Sequence, residues 1–259
     1  MSHLAPILES TRARIAELRQ RVTPDVLEQR LAAAERPRGF AAALGGPEIA
    51  VIAEIKRASP AAGALDPDLN AARLAAAYAE GGAAALSVVT EPDHFQGSLE
   101  DLQAGRGAGL PVLRKDFILD ELQVLESRAV GADALLLVVR AVGEELAHLA
   151  AVTGALGMDA LVEVHDEAEL ERAVAAGAKL IGVNHRNLET FEVDPDRTAK
   201  LAPMVPPGSR LVALSGVSER AEVEALARAG ADAVLVGEGL VRAPDAATKL
   251  RELRGRSVG

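Results

Sequence analysis

Residues 51–60 read V-I-A-E-I-K-R-A-S-P. The first half is an apolar, β-branched run of the kind a strand covered on both faces requires, and it breaks into charge before ending on a Ser-Pro turn. Glu54 and Lys56 stand two apart. Side chains on a strand alternate faces with period two, so both point towards whatever this strand encloses. A carboxylate and an ammonium aimed inwards are unfavourable unless paired or used. The stretch reads as a buried parallel strand whose C-terminal end is the rim of a site.

Outward from it, the chain after Pro47 repeats one unit: apolar strand, polar loop, amphipathic helix, glycine, strand. Gly82-Ala83, Gly131-Ala132-Asp133, Gly177-Ala178 and Gly230-Ala231-Asp232 each close a helical pattern ahead of an apolar run, as a left-handed C-terminal cap and tight turn require. The pattern predicts eight strands, Val51–Lys56, Ala84–Val89, Val112–Asp116, Ala134–Val139, Ala160–Val164, Leu180–Asn184, Arg210–Ser215 and Ala233–Gly237. It predicts helices over Asn70–Glu80, Leu122–Val130, Glu144–Leu156, Glu167–Ala176, Glu219–Ala229 and Ala246–Leu253. Alternating βα units imply parallel strands, and eight in roughly 210 residues fit a closed (β/α)8 TIM barrel better than the alternative, an open doubly wound sheet.

Ahead of the repeat lies a helical pattern with Ile7, Leu8, Ile15, Leu18 and Val22 on one face, a break at Thr23-Pro24 and a second helix over Asp25–Glu35. The expected layout is one domain over 1–259, with an N-terminal helical extension (1–46), acting as a lid or interface, and the barrel over 47–259.

Composition narrows the function. The 259 residues contain no cysteine, which excludes disulfides, thiolate metal sites and cysteine nucleophiles. Acidic side chains outnumber basic ones by 38 to 28, and no basic stripe is interleaved with aromatics, so nucleic acid is not an expected partner. Neither a membrane-length apolar run nor a signal-peptide plan is present, so the expected location is the cytoplasm, with no membrane partner. An anionic ligand would have to overcome the net charge of -10 through a local cluster of Lys, Arg and backbone N–H groups.

In a barrel, chemistry belongs at the C-terminal ends of strands. Those ends carry Glu54 and Lys56, then Arg114-Lys115-Asp116, then Glu163 and His165, then Asn184 and Arg186. Strands seven and eight end instead in Ser215-Gly216 and Gly237-Glu238-Gly239, the composition of a barrel phosphate site built from bare backbone N–H groups. The histidines His3, His94, His148, His165 and His185 lack the spacing of metal ligands on one face. His165 and His185 are expected at the rim, near strand ends.

V-I-A-E-I-K-R-A-S-P, S-V-V-T-E followed by F-Q-G-S, L-R-K-D-F, L-V-E-V-H, G-V-N-H-R-N-L and L-V-G-E-G-L, in this order, resemble the indole-3-glycerol-phosphate synthase family of tryptophan biosynthesis. The resemblance runs from about residue 5 to the last helix. It implies a (β/α)8 carboxy-lyase that closes the indole ring of 1-(2-carboxyphenylamino)-1-deoxyribulose 5-phosphate, losing carbon dioxide and water without metal or organic cofactor. It implies Lys115 as general acid, Lys56 as holder of the substrate's anionic groups and Glu163 as the carboxylate assisting dehydration. Glu54 and Asn184 would orient these partners, with Ser59 and Arg186 near the substrate. Ser215, Gly216, Gly237 and Glu238 match the phosphate site, and Phe95, Phe117 and Leu136 the apolar pocket for the aromatic ring. The expected partner is a small anionic sugar phosphate, and the expected form a monomer or weak homo-oligomer.

One position departs from the pattern. The family ends strand seven with A-E-S-G, where this chain has Ala213-Leu214-Ser215-Gly216. In that family the glutamate is assigned to proton abstraction in the aromatising step, so Leu214 predicts a slowed step, a substitute base, for which His165 or His185 near the strand ends could serve, or a different reaction. A barrel that binds substrate but is catalytically impaired or diverged is the alternative. Ala61, where the loop often carries a serine, is a smaller departure.

Overall fold

A computed structural model of the protein describes residues 4–66, 68–187 and 192–255. His3 and Leu188 lie outside the described residues. Among the described residues, eight parallel strands close into a barrel: β1 (Ala50–Ile55), β2 (Ala85–Val89), β3 (Val112–Lys115), β4 (Ala134–Val138), β5 (Asp159–Val164), β6 (Leu180–Asn184), β7 (Arg210–Leu214) and β8 (Ala233–Val236). Each strand pairs with its neighbours in sequence, and β1 closes the ring on β8. This is the (β/α)8 architecture, and the open sheet is ruled out.

The helices are α1 (Leu4–Arg21), α2 (Pro24–Ala33), α3 (Phe40–Ala43), α4 (Ala71–Gly81), α5 (Pro92–Phe95), α6 (Leu99–Arg106), α7 (Glu121–Ala129), α8 (Val139–Val142), α9 (Leu146–Ala155), α10 (Glu167–Ala175), α11 (Arg197–Leu201), α12 (Arg220–Arg228), α13 (Glu238–Val241) and α14 (Ala246–Leu253). Gly82, Gly131, Gly177 and Gly230 all have positive φ, so each takes the left-handed turn expected between helix and strand. The main differences from the sequence expectation lie at ends. Val139 begins α8 rather than finishing β4, and 144–156 divides into a 3-10 turn and α9. Lys56, Asp116, Ser215 and Gly237 stand just past their ladders, where the backbone turns towards the site. No helical expectation covered α5 and α6, because L-E-D-L-Q-A-G-R is short and ends among glycines.

Strand polarity is sealed at the bottom by a repeated device. In the two Gly-Ala-Asp turns the aspartate accepts an N–H from the start of the preceding strand: Asp133 from Val112 and Asp232 from Leu211, each at 2.7 Å. Asp133 also accepts from the Arg38 N–H at 2.9 Å. Below the strands, Phe40 and Leu44 are buried in the cluster formed by Ile52, Leu113, Leu161, Leu214 and Leu235 inside the barrel. The end of the N-terminal extension is therefore a plug rather than a lid, because its apolar side chains fill the narrow end of the barrel. At the other end α1 reaches the mouth: Arg14 bonds Glu91 at 2.9 Å and Asp93. Among the described residues no helix is long and apolar enough to cross a membrane.

Candidate active site

The period-two alternation sorts the strand ends. On β3, Leu113 joins the barrel interior and Lys115 follows it onto the same face. Arg114, between them, turns outwards and is buried in a network with Asp116, Thr90, Glu126 and Ser127. It braces β3 and does not line the site.

Residues from all eight strands, with the loops that follow, enclose a cavity of about 510 Å³ at the C-terminal mouth. Every residue that the family resemblance assigned to the site lines it: Glu54, Lys56, Ser59, Phe95, Lys115, Phe117, Leu136, Glu163, Asn184, Arg186, Ser215, Gly216, Gly237 and Glu238, together with Leu214. Two pairs of opposite charge face each other there. Lys56 Nζ lies 2.7 Å from Glu54 Oε1, and Lys115 Nζ lies 3.9 Å from Glu163 Oε2. Asn184 Nδ2 donates to Glu163 Oε1 at 2.9 Å, and its Oδ1 accepts from the Arg186 N–H at 3.0 Å. One carboxamide thus ties the carboxylate of β5 to the loop after β6.

Burial by itself would raise the Glu54 carboxyl. The Lys56 and Lys115 ammonium groups, with a hydrogen bond from Lys56, more than offset it and hold the group below the usual carboxylate range. The close approach of β8 makes room for this pair. A Cβ on Gly237 would stand 2.5 Å from Glu54 Oε1 and 3.1 Å from Lys56 Nζ, so only glycine fits the present arrangement.

The turn after β7 is under tension. Ser215 has φ 67°, one of two non-glycine residues in the left-handed region among the described residues, and Gly216 follows at φ 74°. A non-glycine residue there is disfavoured by about 1–2 kcal/mol, and such residues cluster at functional sites. The turn directs the chain at 215–218 along the cavity wall, opposite 237–239. The first N–H groups of α13, which begins at Glu238, have no carbonyl to bond within their helix. Together these segments form an open, donor-bearing cradle.

The two strand-end histidines are not rim residues. His185 is 2% exposed; its Nε2 meets Thr198 Oγ1 at 2.7 Å and its ring bonds the Ser215 backbone. Burial pushes its pKa below the ordinary value, with Arg197 acting the same way against the Ser215 bond and Asp194. His165 is 5% exposed and stands behind Glu163. Both side chains turn away from the mouth and find polar partners in the helix layer, which their strand-end positions did not reveal.

The structure also adds residues to the site. Glu91 lines the cavity, is 1% exposed and accepts the N–H groups of Asp93, His94 and Phe95 as well as Arg14. It fixes the turn that presents Phe95. Arg242, after α13, lines the same wall and pairs with Glu238 at 3.2 Å. In the sequence its only signal is the i,i+4 spacing from Glu238.

The family profile described as Indole-3-glycerol phosphate synthase matches residues 4–253. This chain belongs to that family. Relatives named indole-3-glycerol phosphate synthase from Mycobacterium bovis (strain BCG / Pasteur 1173P2) and Parafrankia sp. (strain EAN1pec) are each 50% identical to it, over 96% and 95% of this chain and 93% and 92% of theirs. Among solved structures, thiamine phosphate pyrophosphorylase from Pyrococcus furiosus has a TM-score of 0.59 at 18% identity, covering 80% of this chain and 94% of that one. N-acetylmannosamine-6-phosphate 2-epimerase from Clostridium perfringens has a TM-score of 0.61 at 17% identity, covering 74% and 88%. These two share the fold with indole-3-glycerol phosphate synthases, and at such identity nothing more is carried over.

Proposed function

We infer that the protein is an indole-3-glycerol-phosphate synthase, a lyase that converts 1-(2-carboxyphenylamino)-1-deoxyribulose 5-phosphate to the indole with loss of carbon dioxide and water. Besides family membership, the observation that carries this reading is the convergence of Lys56, Lys115, Glu163 and Asn184 with two glycine-bearing turns on one cavity. The substrate's phosphate goes to the backbone at Ser215-Gly216 and Gly237-Glu238, with Arg242 adding a cation. Its aromatic ring lies among Phe95, Phe117 and Leu136, and its carboxylate is held by Lys56, with Ser59 and Arg186 at the edge.

Ring closure develops negative charge on the ribulose carbonyl oxygen, and Lys115 is placed to protonate it. Glu163, held by Asn184 at 2.9 Å, assists departure of that oxygen as water. Glu54 keeps Lys56 in place. Ring closure, decarboxylation and dehydration are together redox-neutral, so this reading calls for no electron carrier, and the family resemblance implies no metal or organic cofactor. The protein is expected to act in the cytoplasm, as a monomer or weak homo-oligomer, with no nucleic-acid or membrane partner.

Leu214 supports a second reading, a barrel that binds the substrate but turns it over slowly. Incubation with the carboxyphenylamino ribulose phosphate, followed by indole fluorescence and product mass, separates the two. Indole of the expected mass establishes the lyase; tight binding without product overturns it in favour of the second reading. A product that retains the water identifies a reaction arrested before dehydration.

A further inference from the structure

His165 occupies an unusual place between two cavities. It does not line the main one, yet its Nε2 lies 3.5 Å from Glu163 Oε1, inside that cavity. On its other side it lines an open hollow of about 470 Å³ with Asp166, Asp194, Arg197 and Lys200. Its Nδ1 meets Glu169 Oε2 at 3.1 Å, and its backbone N–H donates to the same oxygen at 2.8 Å. Arg140 Nε donates to Glu169 Oε1 at 2.7 Å and its guanidinium lies 3.7 Å from Asp166, whose side chain is 57% exposed. A continuous line of titratable groups therefore runs from solvent, through Glu169 and His165, to Glu163.

The protonation pattern of this line follows from its partners. Burial opposes ionisation of Glu169, but the hydrogen bonds and charges of His165 and Arg140 outweigh it and hold the carboxyl below its ordinary range. An ionised Glu169 requires the proton on Nδ1. A neutral imidazole then turns the bare Nε2 towards Glu163, and two acceptors face each other unless one proton lies between them. Both Nε2 and Glu163 Oε2 are buried without a hydrogen-bond partner among the described residues, so this end of the line is the part left unsatisfied in the resting site.

The chemistry supplies a use for it. The departing oxygen takes up two protons before it leaves as water. The ring returns one when it becomes aromatic, and the carboxylate leaves as neutral carbon dioxide. The balance is one proton taken from solvent per turnover. Among the inward residues of β7 no carboxylate recovers the ring proton, because Leu214 stands there. Glu163, beside Asn184 and next to that gap, is the carboxylate to which this reading gives both roles, giving and regaining a proton while substrate fills the mouth.

Resting on the lyase reading, we propose that His165 relays a proton to and from Glu163: Nε2 of the imidazolium lends its proton to Glu163 for the departing oxygen and takes it back once Glu163 has recovered the ring proton, while Nδ1 keeps its proton against Glu169 and the net proton consumed enters through Lys115. His165 is thus a positioning and relay residue that need not touch substrate. The charged groups around it are Glu163 from its own strand, Asp166, Glu167 and Glu169 at the start of α10, Arg140 from α8, and Asp194, Arg197 and Lys200 across the hollow.

The test has two arms. In the kinetic arm, His165→Asn lowers kcat by about tenfold or more, below the 10²–10⁴-fold of a direct acid, and alters the pH profile of kcat. KM changes by less than about twofold, and added imidazole restores rate to His165→Ala. An unchanged kcat and pH profile in His165→Asn overturns the relay. In the second arm, the imidazole ¹⁵N resonances of His165, assigned by their loss in His165→Asn, are titrated in the wild type and in Glu163→Gln. A shared proton makes the two titrations differ by more than about half a pH unit, and coincident curves overturn the proposal. This arm needs no turnover, so a wild type that fails to convert the substrate refutes the lyase reading while the relay is still decided.

Discussion

Leu214 is the register partner of Asn184 across the ladder between β6 and β7. The residue beside the carboxamide that holds Glu163 is therefore an isobutyl group, 1% exposed, packed where a Cβ on Gly182 would come within 2.8 Å of Leu214 Cδ1. Leu214 thus leaves an apolar gap beside Asn184, adjoining Leu235 on β8.

Filling that gap with a carboxylate is expected to raise kcat. Leu214→Glu places an acid–base group beside Asn184, and a gain of about 10²-fold is the scale such groups contribute. The same change buries a charge and lowers stability by about 1–3 kcal/mol, read from chemical denaturation. Leu214→Gln is the control: it shares the stability loss and shows no gain in rate. No gain in Leu214→Glu means that another group already serves the aromatising step.

The two lysines should separate in kinetics. Lys56→Ala removes a holding charge and is expected to raise KM for the anionic substrate more than it lowers kcat. Lys115→Met removes a proton donor and is expected to lower kcat by about 10²–10⁴-fold with little change in KM. Steady-state assays of both variants check the division.

Stability should respond to acid through Glu54. Its carboxyl lies below the ordinary value of 4.5 because Lys56 and Lys115 outweigh burial, so the unfolded chain binds this proton more readily than the folded one. The contribution is complete above about pH 4.5 and is lost as pH falls from there through the lower native value. The stability difference between wild type and Glu54→Gln is therefore larger at neutral pH than near pH 3.5. Denaturation midpoints at the two pH values measure it.

Gly237→Ala should damage holding rather than proton transfer. Its Cβ meets the Glu54–Lys56 pair, and relieving such overlap costs about 1–3 kcal/mol. The expected outcome is a raised KM and a lowered Tm, with kcat at saturation much less affected.

The split between what was legible in the chain and what was not follows the range of the interactions. The inward parity of Glu54, Lys56, Lys115 and Glu163 could be read directly, because side-chain alternation is a property of the local backbone. The eight-unit beat was legible for the same reason, since each left-handed glycine turn is set by two or three residues. Arg114 shows the limit: its strand end was visible, but its outward network with Glu126 and Ser127 depends on α7.

By itself the sequence determined the βα order, the strand faces and the charged residues at the strand ends, consequences of dihedral preference and hydrophobic period, while Ser59, Phe95, Phe117 and Leu136 entered through the family resemblance. Only the tertiary structure decided that His165 and His185 are buried behind the site, that Phe40 plugs the barrel floor, and that Arg14 reaches across to Glu91. Those outcomes depend on which distant side chains supply a partner or exclude water, and such encounters exist only once the ring has closed.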